Sequence, residues 1–364
     1  MQRSLAQHTS GRVGLRAHRA SSAGVAALGS HAAGAPFRAS ATAPAPVPQR
    51  CARRALHGSR QNGSVRDMAT AAPAKTESSV KAVAPQAPYG VVITGSTKGI
   101  GRAMAEDFLE AGDRVVICSR SDDRVAEVVA ELAAQYGSDR VKGLAVDVSK
   151  PGQARDLADF AARELGRVDI WINNAGTNAY RYGPMAEASD EELEAIVGTN
   201  VLGVMLCCKE AIRIMRTQST HGHIFNMDGA GADGNPTPRF AAYGATKRSL
   251  AQLGKSLGAE LGILGIKNVA VHNLSPGMVT TELLMSGANT PTAKFFINCL
   301  AETASDAAAF LVPRVRAVPA SAANPLTGAL QPTYIRFLTQ PKALQQVFKR
   351  LLAGERKSRW VPED

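Results

Sequence analysis

From Tyr89 onward the chain alternates between short β-branched apolar runs and longer stretches with helical spacing. Val91-Val92-Ile93, three apolar residues in a row closed by a glycine-rich turn, suits a strand buried on both faces of a parallel sheet. Residues 103–111 read as a helix that stops at Gly112, and residues 114–120 as a second buried strand. A helix over 124–136, a strand over 141–148, a helix over 153–165 and a strand over 168–176 follow. Later strands are expected at 223–227 and 334–338. Successive βα units of this kind predict an α/β fold, a single doubly wound parallel sheet with helices on both faces and its site at the strand C-termini.

The two ends differ from this body. Residues 1–66 contain ten arginines, no lysine and no acid, set among Ala, Ser, Gly and Pro, a composition expected of an organellar transit peptide. The net charge of +11 is a property of that end, because the rest of the chain carries 32 cations against 31 acids. A nearly neutral body argues against a nucleic-acid surface, which needs surplus cations on the folded domain. Residues 67–88, Ala-rich and punctuated by Pro, read as a linker, leaving residues 89–340 as one domain of ordinary size. No run of consecutive apolar residues reaches the roughly 18 expected of a membrane span, so the protein is expected to be soluble or peripheral. In the extension 341–364, Leu344, Val347, Phe348, Leu351 and Leu352 recur at helical spacing among Lys342, Lys349, Arg350, Arg356, Lys357 and Arg359. Docking of this basic amphipathic helix on its own domain or a partner subunit is favoured over contact with an anionic membrane. The cysteines, with Cys207 and Cys208 adjacent, make neither a zinc spacing nor a disulfide frame and are expected as core fillers. His221, His223 and His272 are scattered, so no metal site is expected.

The turn after the first strand carries the first chemistry. In Gly95-Ser96-Thr97-Lys98-Gly99-Ile100-Gly101, Gly95 suits the tight turn, and Gly99 and Gly101 suit close backbone approach with a phosphate at the helix N-terminus. The next strand ends in Ser119-Arg120, where NAD-binding domains keep an acid for the ribose 2′-hydroxyl and NADP-binding ones an arginine. Arg120 and Lys98 together predict NADPH; the competing assignment leaves Arg120 in solvent and gives the ribose to Asp122 or Asp123. Asp147 is either an acceptor for an adenine amino group or a plain helix N-cap.

Tyr243 and Lys247, four apart, share one helix face. A neighbouring ammonium stabilises a phenolate, and the expectation is therefore that Lys247 lowers the phenol of Tyr243 toward the working range, with Tyr243 as proton donor.

Thr94-Gly95-x-x-x-Gly99-x-Gly101, Asn173-Asn174-Ala175-Gly176, Tyr243-x-x-x-Lys247 and Pro276-Gly277, in this order, resemble the classical short-chain dehydrogenase/reductase family, which implies a Rossmann-type sheet. The resemblance implies a cofactor cradle of Thr94, Gly95, Ser96, Thr97, Lys98, Gly99, Ile100, Gly101, Ser119, Arg120, Asp147, Val148, Asn174, Ala175, Gly176, Tyr243, Lys247, Pro276, Gly277, Val279 and Thr281. It further implies that Lys247 holds the nicotinamide ribose, that Asn200 fixes a water behind Lys247, and that Pro276-Gly277 with Thr281 shape the amide pocket. Without it, Asn200 is a helix-interior polar residue and Pro276-Gly277 a turn.

One departure is plain. The family places a serine about 13 residues before the tyrosine, whereas Asp228-Gly229-Ala230-Gly231-Ala232-Asp233-Gly234 has no hydroxyl. A protonated Asp228, a backbone N–H of the glycine turn, or substrate fit alone must replace it, or the protein is a cofactor-binding scaffold. Gly222 to Gly231, residues 169–180, Pro236-Thr237-Pro238-Arg239-Phe240 and Asn273 to Thr281 resemble plant and algal chlorophyll(ide) b reductases, in particular the shorter form without transmembrane helices. That resemblance implies NADPH-dependent reduction of the C7 formyl group of chlorophyll b or chlorophyllide b in the chloroplast, on the stromal side of the thylakoid. Oligomers with related reductases and contacts with light-harvesting or pigment-breakdown proteins are also implied. Another bulky plastid carbonyl is the alternative substrate. Met278, Leu283, Leu284, Met285, Phe295 and Phe296 are expected at the substrate loop or in a packing helix, with Tyr180, Tyr182 and Arg239 bordering the pocket.

Overall fold

A computed structural model describes residues 83–363 apart from Tyr180, Ala322, Pro325 and Thr327; the expected transit peptide and most of the expected linker lie outside the described residues. The strands β1 (Gly90–Thr94), β2 (Arg114–Ser119), β3 (Val141–Ala145), β4 (Ile170–Asn173), β5 (Gly222–Met227), β6 (Val269–Ser275) and β7 (Tyr334–Arg336) form one parallel sheet. Its order is β3-β2-β1-β4-β5-β6-β7, so the chain reverses direction across the sheet between β1 and β4. Such a switch point opens a crevice at the strand C-termini.

Strand alternation divides the core. Val91, Ile93, Val115, Ile117, Ile170, Ile172 and Phe225 face α1 (Gly99–Glu110), α2 (Asp122–Tyr136) and α9 (Ala304–Ala317). Val92, Val116, Trp171, Ile224 and Val271 face α3 (Pro151–Leu165), α5 (Val204–Met215) and α6 (Ala241–Ile263). Each fully buried side chain of this size contributes roughly 1.5–3 kcal/mol relative to exposure. The helical stretch from Asp190 to Met215, which includes α4 (Asp190–Val197), is long and apolar enough to cross a membrane. Here it is a core helix, with Cys207, Cys208, Ala211 and Met215 buried against the sheet.

Several boundaries differ from expectation: α2 begins at Asp122 rather than residue 124, α3 at Pro151 rather than 153, and β7 ends at Arg336 rather than 338. Helix α1 begins at Gly99 rather than residue 103, so its N-terminus reaches into the glycine turn. Strand β3 ends at Ala145, because the Asp147 carboxylate turns back to accept from the Ser149 backbone N–H at 3.0 Å and hydroxyl at 2.7 Å. Strand β4 ends at Asn173, because Asn174 Nδ2 leaves the sheet to donate to the carbonyls of Thr94 at 2.9 Å and Gly95 at 3.0 Å. The linker also ends earlier than expected: Val83 pairs with the segment around Thr220.

The expected C-terminal helix is present as α10 (Gln340–Ala353) and docks on the domain with its polar side inward. Gln346 is buried and donates to Glu302 at 3.2 Å, and Arg350 pairs with Glu363. Leu344, Phe348, Leu351 and Leu352 stay exposed, and only Val347 is half-buried. Satisfying the polar groups of the following turn, which folds back under the helix, decides this orientation.

Candidate active site

The glycine turn is built around Gly95, whose φ of +66° favours glycine. Thr94 Oγ1 accepts from the backbone N–H of Asn174 and of Ala175, both at 3.0 Å, so the β1 turn and the Asn174-Ala175-Gly176 corner are one rigid unit. The Thr281 methyl closes the crevice from the other side, 3.2 Å from where a Cβ on Gly99 would stand. At the start of α1, Lys98 makes no side-chain cap and no acid stands in the first turn. The first N–H groups of the helix therefore remain available to a phosphate. This cradle fits a dinucleotide.

Not every expected cofactor residue points its side chain into it. The Ser96 hydroxyl donates to Ile93 O at 2.6 Å and accepts from Cys118 N at 3.1 Å, fastening β1 to β2. Lys98 is held by Glu282 at 2.5 Å. Arg120 is exposed at the end of β2. Asp147 sits below its ordinary carboxyl range; burial works against this, and the Ser149 hydrogen bonds with the charges of Arg120 and Lys150 outweigh it. The helix N-cap alternative for Asp147 is overturned, since Lys150 occupies that position.

Tyr243 lies in the first turn of α6 with Lys247 one turn on, as the spacing requires. Lys247 is buried and its Nζ donates to Met227 O at 3.0 Å, 5.5 Å from the Tyr243 ring centre. The expected electrostatics are reversed. Enclosure, then the Asp228 charge, pushes the Tyr243 phenol up. Burial pulls Lys247 down to about 8 against the opposing pull of Asp228. Desolvation is the leading cause for both groups, and the phenol holds its proton at neutral pH.

Asn200 does not sit in a regular helix. A π-helical stretch (Gly198–Gly203) between α4 and α5 turns its side chain inward, where Oδ1 accepts from Thr177 N at 2.8 Å and Nδ2 donates to Thr177 O at 2.8 Å and Thr246 Oγ1 at 3.1 Å. Asn200 Oδ1 and Lys247 Nζ converge on Gly176, at 3.4 and 3.6 Å from the position of a Cβ there. Such single-turn bulges are frequent at functional sites, and nothing in the sequence signals this one.

At the end of β5, Asp228 is buried near Tyr243 and Lys247. Its Oδ2 accepts from the hydroxyl of Tyr334, a residue of β7 that sequence reasoning placed only in a strand. Asp228 Oδ1 has no hydrogen-bond partner among the described residues. Burial raises its carboxyl; the hydroxyls of Tyr334 and Ser275 and the charge of Lys247 act the other way and do not cancel it. A Cβ on the next residue, Gly229, would stand 2.5 Å from the Tyr243 hydroxyl oxygen, so the glycine turn lies directly against that hydroxyl.

Beyond Tyr243 lies a groove lined by Asn178, Arg181, Met185, Leu193, Ile196 and Phe240 among others. Phe240 stands 6.1 Å from the Tyr243 ring and meets Tyr182 edge-on at 4.7 Å, giving the groove an aromatic wall. Arg239 borders it as expected, 5.4 Å over Tyr182; Tyr180 lies outside the described residues. Leu283, in α7 (Glu282–Met285), accepts from Asn178 on the groove's edge. Phe295, in α8 (Pro291–Leu300), does not line the groove but packs beneath Arg350.

A family model described as short chain dehydrogenase matches residues 90–291, more than half of the chain. The chain belongs to the short-chain dehydrogenase family. It is 55% identical over 305 residues to chlorophyll(ide) b reductase NOL, chloroplastic, of Arabidopsis thaliana, covering 84% of this chain and 85% of that protein. To the protein of the same name from Oryza sativa subsp. japonica it is 56% identical over 277 residues, 76% of this chain and 79% of that one. Among solved structures, a 3-ketoacyl-(acyl-carrier-protein) reductase from Brucella melitensis complexed with NADH superposes with a TM-score of 0.57 at 25% identity, over 69% of this chain and 97% of that one. This short-chain dehydrogenase departs from the serine pattern and puts Asp228, with Tyr334 behind it, beside the tyrosine.

Proposed function

We propose that this protein is an NADPH-dependent reductase of the C7 formyl group of chlorophyll b or chlorophyllide b, forming the hydroxymethyl product in the chloroplast. The observation that carries the proposal is the 55% identity with the Arabidopsis reductase across 84% of the chain. The aromatic-walled groove opening at Tyr243 supports it, since a flat macrocyclic aldehyde needs apolar walls on one side and a proton donor at its edge.

Bound in the crevice, NADPH supplies the hydride. Tyr243, protonated at neutral pH, gives its proton to the formyl oxygen. Lys247, at the convergence of Asn200 and Gly176, holds the nicotinamide ribose and, while charged, stabilises the phenolate that Tyr243 leaves behind. Asp228, in its protonated form, which burial favours, and with Tyr334 fixing Oδ2, donates from its other oxygen to the formyl oxygen in place of the serine. The protein acts at the stromal side of the thylakoid membrane, as a peripheral oligomer. The acid-free, arginine-bearing residues 1–66 support delivery to the chloroplast.

Incubating purified protein with NADPH and chlorophyllide b tests the reading. Hydroxymethyl product supports it; cofactor binding without turnover of this substrate or other carbonyls makes the protein a scaffold. Two further outcomes follow. Arg120→Asp is expected to weaken NADPH binding far more than NADH binding, because a cation facing the 2′-phosphate becomes an anion; equal losses in a fluorescence titration refute the assignment. The rate kcat/KM is expected to fall as pH rises past about 8, where Lys247 loses its proton. Lys247→Arg stays charged there, so its pH–rate profile should be lower but lack that limb.

A further inference from the structure

Helix α10 is amphipathic the wrong way round for a domain helix. Its inward face carries buried Gln346 and half-buried Arg350, while Leu344 and Phe348 are each 59% exposed, Leu351 66% and Leu352 84%. Positions 344, 348, 351 and 352 fall on one helical stripe. The inward face cannot simply roll over to hide it. Arg350 pairs with Glu363, Asn298 donates to Val361 O at 2.7 Å, Trp360 Nε1 donates to Ala301 O at 3.0 Å, and Glu302 binds Arg356 at 2.9 Å and Arg359 at 3.0 Å. The stripe is therefore held outward.

We propose that this stripe is a lipid-docking face that seats the protein on an anionic membrane surface, with Leu344, Phe348, Leu351 and Leu352 entering the acyl boundary and Lys349 and Lys357 meeting headgroups. Charge selects lipid over a second copy of the chain. Residues 341–364 carry six cations against three acids; Arg350, Arg356 and Arg359 are held in ion pairs with the domain and the turn, Lys357 pairs with no acid among the described residues, and Lys349 has only Glu355 at 3.7 Å. A two-fold contact through α10 brings two surfaces of the same net positive charge together, whereas an anionic bilayer complements them. Glu302, which anchors α10, also accepts through its backbone from Thr280 N at 2.9 Å, so the inward side of α10 is tied to the loop that carries Thr281. Only the identity of the membrane, the one that holds the pigment, rests on the proposed function.

The test is co-sedimentation of the full chain with vesicles of galactolipid plus phosphatidylglycerol, and with galactolipid alone. Wild type is expected to sediment with the anionic vesicles and much less with the neutral ones. The combined variant Leu344→Gln, Phe348→Gln, Leu351→Gln and Leu352→Gln is expected to lose binding at least about tenfold. Its thermal unfolding should be unchanged, because the replaced groups are exposed. Both proteins should reduce water-soluble chlorophyllide b equally, so failure of turnover concerns the reaction and failure of sedimentation concerns the face. Equal sedimentation of variant and wild type overturns the proposal. So does a wild-type dimer that ignores vesicles and becomes monomeric in the variant.

Discussion

Tyr243→Phe is expected to lower the turnover of chlorophyllide b about 10³-fold, in the range that a positioned proton donor contributes, while NADPH binding stays essentially unchanged. The change removes one oxygen atom. The ring keeps its packing against Phe240 at 6.1 Å, and Lys247 keeps its bond to Met227 O, so the cofactor side of the site is left intact. The phenol is pushed up chiefly by enclosure, which keeps it protonated at neutral pH without prior activation. Single-turnover product formation beside a cofactor titration separates the two effects. Full activity in the variant would mean that the proton comes from elsewhere and that the Tyr243–Lys247 pair is structural.

The second large effect is expected at Asp228. Asp228→Ala should lose about 100-fold in kcat, the scale of one preorganised donor at a reacting carbonyl. Asp228→Asn keeps an N–H donor and should retain most activity. Tyr334→Phe gives the more specific signature. The Tyr334 hydroxyl donates to Oδ2, which orients the carboxyl and favours its charged form. Without that bond the carboxyl should rise further, so the loss of activity caused by Asp228 ionisation should move to higher pH even as the maximal rate falls several-fold. A merely structural tyrosine would lower the rate and leave the limb where it was. If both Asp228 variants remain fully active, the donor is a backbone N–H of the glycine turn. Gly229→Val cannot discriminate between these cases, because its Cβ would stand 2.5 Å from the Tyr243 hydroxyl oxygen and displace the proton donor in either.

The sheet and most of its helices were legible in the sequence because they are local statements. A β-branched run such as Val91-Val92-Ile93 is buried on both faces wherever it lies in a parallel sheet, and Gly95 marks a turn that needs φ of +66°. The pairing of Tyr243 with Lys247 was equally local, since a spacing of four fixes two side chains on one helix face. Boundaries failed where a side chain answered a distant partner, as Asn174 does in leaving β4 for the carbonyls of Thr94 and Gly95.

What the tertiary structure alone decided was the electrical state of the site and the direction of its outer helix. Spacing told that a lysine follows the tyrosine; the burial that raises the phenol and lowers Lys247 to about 8 depends on what the rest of the chain packs around them. Tyr334 reaches Asp228 across 106 residues, through strand pairing of β7 with β6 and β6 with β5, and no pattern near either residue announces it. The period of α10 told that one face is apolar. Which face turns inward was settled by Glu302, Asn298 and Glu363, whose hydrogen bonds to Gln346 and to the turn after the helix hold its polar side against the domain. A one-dimensional pattern records which residues share a face, and only the packed structure determines what that face meets.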